Sequence, residues 1–301
     1  MKILNFGSCN IDYVYSINHI VNPGETESTE KLEIFPGGKG LNQSIAVSRA
    51  GVKVFHAACL GKGSKLLTDT LEKSGVDISY IKYVDAQTGH AVIQVDSKGE
   101  NSIFLYSGSN KMITDDFVDG VLKNFESGDI ILLQNEINNL NYIIEQSYKK
   151  GLCVILNPSP YNGEITKIDF NKVSYVILNR IEAAELFGYE EDCGSFECFY
   201  KKFPDLKTVL TLGSEGCRYI DSKKNIFMHA FKTEVVDTTA AGDTFMGYFA
   251  AGLSKGEAYE KILKTASCAA ALAVSKKGAA PSIPELYEVQ KALSAEDNEK
   301  S

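Results

Sequence analysis

The sequence predicts an α/β protein, with a largely parallel sheet buried on both faces, flanking helices, and a small antiparallel sheet standing off the body as a lid. Three observations carry this reading. From about residue 128, short continuous apolar runs alternate with helical patterns, which marks strands covered on both sides. A chain of 301 residues is long enough to bury one large core, so residues 1–301 are read as one domain. Two stretches, about 11–36 and 89–106, fit no strand–helix unit and are assigned to the lid.

The elements follow in order. KILNF (2–6) reads as the first strand and leads into GSCNID (7–12). Residues 11–36 are polar and extended. PGGKGLNQS (36–44) is a glycine-rich loop running into a helix, where Leu41, Ile45 and Arg49 begin one face. VKVFHAACLG (52–61) reads as a strand. GHAVIQVDSKGENSIFLY (89–106) reads as a hairpin around an SKGE turn. DIILLQ (129–134), LCVILN (152–157), VSYVILN (173–179) and KTVLTLG (207–213) are strands, with helices over 139–151 and 181–188 between them. Helices over 242–253 and about 257–274 close the pattern. In the second, Ala266, Ala269, Ala270 and Ala273 permit close packing. AEDNEKS (295–301) reads as a frayed polar tail.

Composition narrows the functional classes. A net charge of −8 with scattered basic pairs gives no surface for nucleic acid, so phosphate binding must rely on local geometry. The seven cysteines, including Cys153 and Cys193, are dispersed with no C-x-x-C, and the four histidines lie far apart. A structural zinc or a disulfide framework is disfavoured. No run approaches the ~20 apolar residues of a membrane span. The short, acid-interrupted N-terminal run is not a signal peptide, so a cytoplasmic location is the default.

Five polar or glycine-rich loops fall at strand ends, where open parallel sheets bind ligands. Asn10 and Asp12 alternate in an extended segment and share a side, which suits a vicinal diol; such pairs also cap turns. PGGKGLNQS is neither a Walker A loop nor G-x-G-x-x-G. Its glycines let a ligand approach the backbone, with Asn42 and the Lys39 region offering hydrogen bonds, though a tight turn explains them equally. Glu136, after QN, suits a polar substrate. Asn179 and Glu182 in NRIE suit a metal–phosphate group, and TLGSEG (211–216) suits a nucleotide lying over backbone. In DTTAAGDTF (237–245), Asp243 stands at a helix mouth behind almost side-chain-free residues. It reads either as a first-turn cap or as a functional carboxylate.

Together GSCNID, PGGKGLNQS, LNP (156–158), NRIE, TLGSEG, VVDTTAAGDTF and KKGAAPSIP resemble the ribokinase-like carbohydrate kinases nearly end to end. The resemblance implies a doubly wound α/β fold with a β lid that doubles as a homodimer interface. It implies ATP-dependent phosphorylation of a sugar hydroxyl, D-ribose leading, with deoxyribose, another sugar or a nucleoside as alternatives. A catalytically silent sugar-binding regulator is the distant alternative. Asp243 is then the base, with the backbone N–H groups of Ala240, Ala241 and Gly242 as the anion hole. Asn10, Asp12, Gly38, Lys39, Gly40, Asn42 and Glu136 line the sugar site. Asn179, Thr211, Leu212, Gly213, Ser214, Glu215, Gly216, Gly242 and Ser267 fall in the ATP site. Glu182 lies near Mg2+. Asp237, Thr239, Ala273, Lys276, Gly278 and Ser282 surround a K+-type monovalent cation. Two positions depart from the family pattern: Lys62 replaces an acidic residue, and Arg180 does so within NRIE.

Overall fold

The computed structural model describes residues 1–29, 31–190 and 196–299. Cys193 lies outside them. From β1 (Ile3–Phe6) the chain passes into β2 (Asn10–Ser16), β3 (Lys31–Gly37) and α1 (Lys39–Arg49). It continues through β4 (Val54–Lys62), α2 (Lys65–Lys73), β5 (Asp77–Gln87), β6 (His90–Val95) and β7 (Asn101–Tyr106). Then come α3 (Asp115–Leu122), β8 (Ile130–Gln134), α4 (Leu140–Lys149), β9 (Cys153–Asn157), β10 (Tyr175–Asn179) and α5 (Arg180–Phe187). The last stretch holds α6 (Glu197–Lys201), β11 (Lys207–Thr211), β12 (Gly216–Ile220), β13 (Asn225–His229), α7 (Ala241–Ser254), α8 (Tyr259–Val274) and α9 (Leu286–Glu299). The expected frayed tail is therefore helical as far as Glu299, where it continues the amphipathic run that buries Val289.

The main sheet runs β13-β12-β11-β10-β9-β8-β1-β4-β5. All pairs from β5 to β11 are parallel, and β12 and β13 add an antiparallel edge. The chain winds from β1 one way to β5, then returns and winds the other way from β8. The order therefore reverses between β1 and β8, and that switch point opens a crevice beyond their carboxyl ends. Strand alternation splits the core in two. Ile130 and Leu132 of β8 pack with Leu41, Phe249 and Ala266 of α1, α7 and α8. Ile131 and Leu133 pack with Val118, Ile143 and Phe199 on the opposite face.

Helices α1 and α7 meet closely because position 247 is glycine. A Cβ there would lie 2.4 Å from the Ala46 Cβ and 2.9 Å from the Gln43 carbonyl oxygen. That approach sets the start of α7 beside the start of α1.

The second sheet has the order β3-β2-β6-β7. Its outer pairs are antiparallel, as the hairpin reading anticipates, but the central pair β2–β6 is parallel. The reason is topological: β2 and β6 each leave the main sheet directly from parallel strands, β1 and β5, and so depart in the same direction. Apolar side chains of this sheet remain exposed, notably Ile34, Ile103, Phe104 and Leu105.

Candidate active site

Two depressions lie beyond the strand ends and share Asn179, Thr211, Thr238 and Gly242. Their junction is the start of α7. Ala240, the residue before that helix, has φ 60, and no side chain caps the helix. Asp243, 9% exposed, does not cap its own first turn. Its Oδ2 accepts from Asn42 Nδ2 at 3.1 Å and its Oδ1 from Gln43 Nε2 at 2.9 Å. Of the three backbone donors expected there, the Ala241 N–H is engaged at 3.3 Å by the Thr238 carbonyl.

The first depression brings together Asn10, Asp12, Gly38, Lys39, Asn42, Glu136, Glu182 and Asp243. Gly38, with φ 98, lets the loop turn into α1 so that Lys39 opens the helix above the crevice. Gly40 does not line the depression. It sits beneath, where its N–H donates to Ser8 Oγ at 3.2 Å and a side chain would strike the Gly7–Ser8 backbone. Glu136 Oε2 accepts from Ser8 Oγ at 2.5 Å and from the Lys39 N–H at 3.2 Å.

Five charged groups share this small space, and burial together with neighbouring charge shifts three of them, Asp12, Glu136 and Lys39. Loss of hydration on burial, and then the nearby Glu136 charge, push the Asp12 carboxyl up to about 7. Burial also holds Glu136 above the usual carboxylate range, Asp243 adding to it while Lys39 and Ser8 pull back. For Lys39, burial lowers the proton affinity, but the carboxylates of Asp243, Glu136 and Glu182 outweigh it and hold the ammonium above its ordinary value.

Sequence reading missed several contributors. Asn110, in a short turn after β7, donates to Asn10 Oδ1 at 2.8 Å and accepts from the Cys9 N–H at 3.1 Å. Nothing in SGSNK (107–111) marks it, because its role comes from a contact 100 residues away. Asn157 and Ser159 also line the depression. Asn157 stood within LNP, where the motif was visible but its direction was not.

The second depression brings together Asn179, Thr211, Gly213, Ser214, Gly216, Gly242 and Ser267. Leu212 and Glu215 are not among the lining residues. Leu212 packs against the core, and Glu215 pairs with Arg180 Nη2 at 2.6 Å. The missed residues are Ala230, Phe231, Val235, Phe245, Ala270, Ala271 and Val274, which give the groove an apolar wall, with Lys232, Thr233 and Thr238 as polar neighbours.

Asn179 and Glu182 form a reciprocal helix cap. The Glu182 N–H donates to Asn179 Oδ1 and the Asn179 N–H to Glu182 Oε2, both at 3.0 Å. Glu182 caps through Oε2 while its side chain lines the crevice, which leaves Oε1 as the oxygen it offers there.

Asp237 ties together the segments expected around a monovalent cation. It accepts from the Thr239 N–H at 2.9 Å and from the Gly278 N–H at 2.9 Å. Burial raises its proton affinity, but Thr239, Gly278 and Lys277 outweigh that and keep the carboxyl below its ordinary range. Two side chains of the expected set point elsewhere. Lys276 Nζ reaches Glu288 at 2.7 Å, and Ser282 Oγ bonds the Ala279 carbonyl at 2.8 Å. The Ala273 carbonyl accepts from the Lys276 N–H at 3.1 Å.

Neither departure from the family pattern lines the depressions. Lys62 is exposed and pairs with Asp85, itself 91% exposed, at 3.1 Å. No helix among the described residues is long and apolar enough to cross a membrane.

The pfkB family carbohydrate kinase pattern matches residues 1–286. The chain is 33% identical to a ribokinase of Haemophilus influenzae, over 95% of this chain and 96% of that one. It is 28% identical to a deoxyribokinase of Salmonella typhi, over 98% and 99%. A solved Arabidopsis thaliana ribokinase complexed with ribose and ATP superposes with TM-score 0.85 at 30% identity, covering 97% of this chain and 98% of that one. With a sheet switch point, a carboxylate at the mouth of α7 and a sequence matched across most of its length, the chain belongs to the pfkB family of carbohydrate kinases, phosphotransferases that act on a sugar hydroxyl.

Proposed function

We propose that this chain transfers the γ-phosphoryl group of ATP to D-ribose, giving ribose 5-phosphate and ADP. The observation that supports it most is the meeting of the two depressions at the start of α7, beside the Asp243 carboxylate. A sugar in the first and a nucleotide in the second put hydroxyl and phosphoryl group together at that point. Phosphoryl transfer through a loose transition state needs positioning and charge neutralisation more than a strong base.

Asp243 accepts the hydroxyl proton. The proton leaves late in such a transfer, so positioning of the carboxylate matters more than base strength. The Gly242 N–H, together with Ala240 and Ala241, receives the charge on the transferring group; Ala241 gives up its long bond to Thr238 to do so. Asn10, Asp12 and Glu136 offer amide and carboxylate oxygens to the sugar hydroxyls, with Lys39 balancing their charge. The apolar wall of Phe245, Ala270 and Val274 takes the base of the nucleotide. Glu182 and Asn179 would hold Mg2+, which neutralises phosphate charge when bound with ATP. Asp237 and nearby carbonyls would hold a K+-type ion that orders the loop before α7, Lys276 and Ser282 contributing through backbone only. The small sheet serves as the lid, and its exposed Ile34 and Phe104 suit a second copy of the chain.

The relative named a deoxyribokinase keeps one alternative worth an arm of the test. ADP release is measured with D-ribose, deoxyribose, ketohexoses and nucleosides, each with and without potassium. Ribose is expected to lead. A strong nucleoside response with none to ribose overturns the assignment. Asp243→Ala should lower kcat by about 10²–10⁴-fold with sugar binding retained; near-normal turnover would remove Asp243 as base. Sugar binding without any turnover in the unaltered chain would favour a silent regulator.

A further inference from the structure

Behind Asp243, on the side away from the crevice, runs an unbroken chain of hydrogen-bonded side chains with no exposed surface. Cys9 Sγ lies 3.1 Å from His56 Nε2, and His56 Nδ1 lies 2.8 Å from Ser44 Oγ. Asn5 Nδ2 donates to Ser44 Oγ at 3.0 Å and to the Gly40 carbonyl at 2.8 Å. Gln134 Nε2 then donates twice, to Asn5 Oδ1 at 2.9 Å and to Gln43 Oε1 at 2.6 Å. Gln43 Nε2 completes the run at Asp243 Oδ1. Burial pushes His56 down to about 3, so no charge enters the chain near neutral pH.

The amides of this chain all face one way. Gln134 keeps both donors toward its neighbours although its carbonyl Oε1 is buried without a hydrogen-bond partner among the described residues. That oxygen rests against Gly7, where a Cβ would come within 2.5 Å. Turned over, the Gln134 amide would aim its oxygen at two acceptors, Asn5 Oδ1 and Gln43 Oε1. Gln43 would then lose the partner that fixes its own orientation, and its turned carbonyl would face the Asp243 carboxylate. A buried network that keeps an unpartnered carbonyl calls for a reason that packing does not give. Neither Gln43 nor Gln134 lines the crevice, so sugar contact does not supply that reason.

We infer that Gln134 is a positioning residue for the transfer: through Gln43 it fixes which way the Asp243 carboxylate faces. This rests on Asp243 being the base. Asn42 holds the other carboxylate oxygen, so without Gln43 the group pivots about a single bond.

The test is a double-mutant cycle on the full chain with Gln43→Met, Gln134→Met and both, assayed on the sugar the unaltered protein turns over fastest. Methionine keeps the volume and deletes the donors. Misplacing a reacting group by about 1 Å costs on the order of 10²-fold, so Gln43→Met should lose about that in kcat. Gln134→Met should lose roughly 10-fold in kcat, with KM for sugar and ATP little changed. Because Gln134 acts through Gln43, the double variant should match Gln43→Met alone. Independent losses that multiply, a loss confined to KM, or a Gln134→Met kcat like the unaltered protein's would each overturn the inference. Should a methionine variant fail to fold, Gln43→Asn keeps the amide one methylene short of Asp243 and must show the same kcat loss. Asp243→Asn is run alongside. If it keeps its turnover, the base assignment falls; if it is inactive while Gln134→Met is normal, only the positioning role falls.

Discussion

Gly247→Ala tests whether the contact between α1 and α7 sets the site. Two effects oppose each other. Alanine in a helix interior is favoured over glycine by about 1 kcal/mol. Against that, the added Cβ would sit 2.4 Å from the Ala46 Cβ, 2.9 Å from the Gln43 carbonyl oxygen and 2.9 Å from the Val47 N–H nitrogen. All three atoms are fixed by the α1 backbone, so no side-chain rotation relieves the clash. Relief requires the helices to part by roughly 1 Å, which falls at the upper end of the ~1–3 kcal/mol typical of overpacking. A net loss of about 1–2 kcal/mol should lower Tm by roughly 2–6 °C in a chain of this size. The same displacement carries Asp243 away from Asn42 and Gln43, so kcat should fall by about 10-fold or more. Scanning calorimetry and ADP release on one preparation read both effects. A raised Tm with unchanged kcat would mean that helix propensity wins and that this contact does not position the carboxylate.

Two further outcomes follow from the crevice. Because burial and Glu136 hold the Asp12 carboxyl near 7, the folded state keeps a proton that the unfolded chain releases above about 4. Stability from that proton is present at low pH and is lost as pH rises through 7. Asp12→Asn should therefore melt higher than the unaltered protein at pH 8, with the gap closing toward pH 4 in a Tm-against-pH series. A constant gap would refute it. Asn110→Ala removes one bond to Asn10, worth about 1 kcal/mol, and should raise KM for the sugar several-fold while leaving kcat nearly intact. An effect on kcat alone would place Asn110 elsewhere in the cycle.

The sheet was legible because strands buried on both faces leave an unmistakable apolar run, as IILLQ in β8 does. The parallel pairing of β2 with β6 was not, since it depends on where two distant strands leave the main sheet. Within the crevice, loops at strand ends announced Asn10, Lys39, Glu136 and Asp243, whereas residues that act through a partner stayed silent. Gln134 stood in plain view in QNE, two residues before Glu136, yet β8 ends at Gln134 and the turn after it sends the two side chains to different tasks. Gln134 points into the body and Glu136 reaches the Lys39 N–H.

Asp243 shows why that boundary falls where it does. In one dimension, an acidic residue in a first turn is read as a cap, because free N–H groups are the nearest partners a sequence can supply. In three dimensions Gln43 and Asn42, about 200 residues away, claim both oxygens first. Ala240 contributes no side chain to the cap either, so the start of α7 keeps donors that a residue with a hydroxyl or carboxylate would have taken. The same absence of side chains that made DTTAAGD look featureless is what leaves its backbone open to an anion. A serine at position 240 would restore a capping oxygen, but in a residue already held at φ 60 and, under the proposed transfer, on the path of the incoming phosphoryl group. The physical requirements of a cap and of a phosphate site compete for one set of N–H groups, and under the proposed transfer alanine at this position leaves those groups to the phosphate.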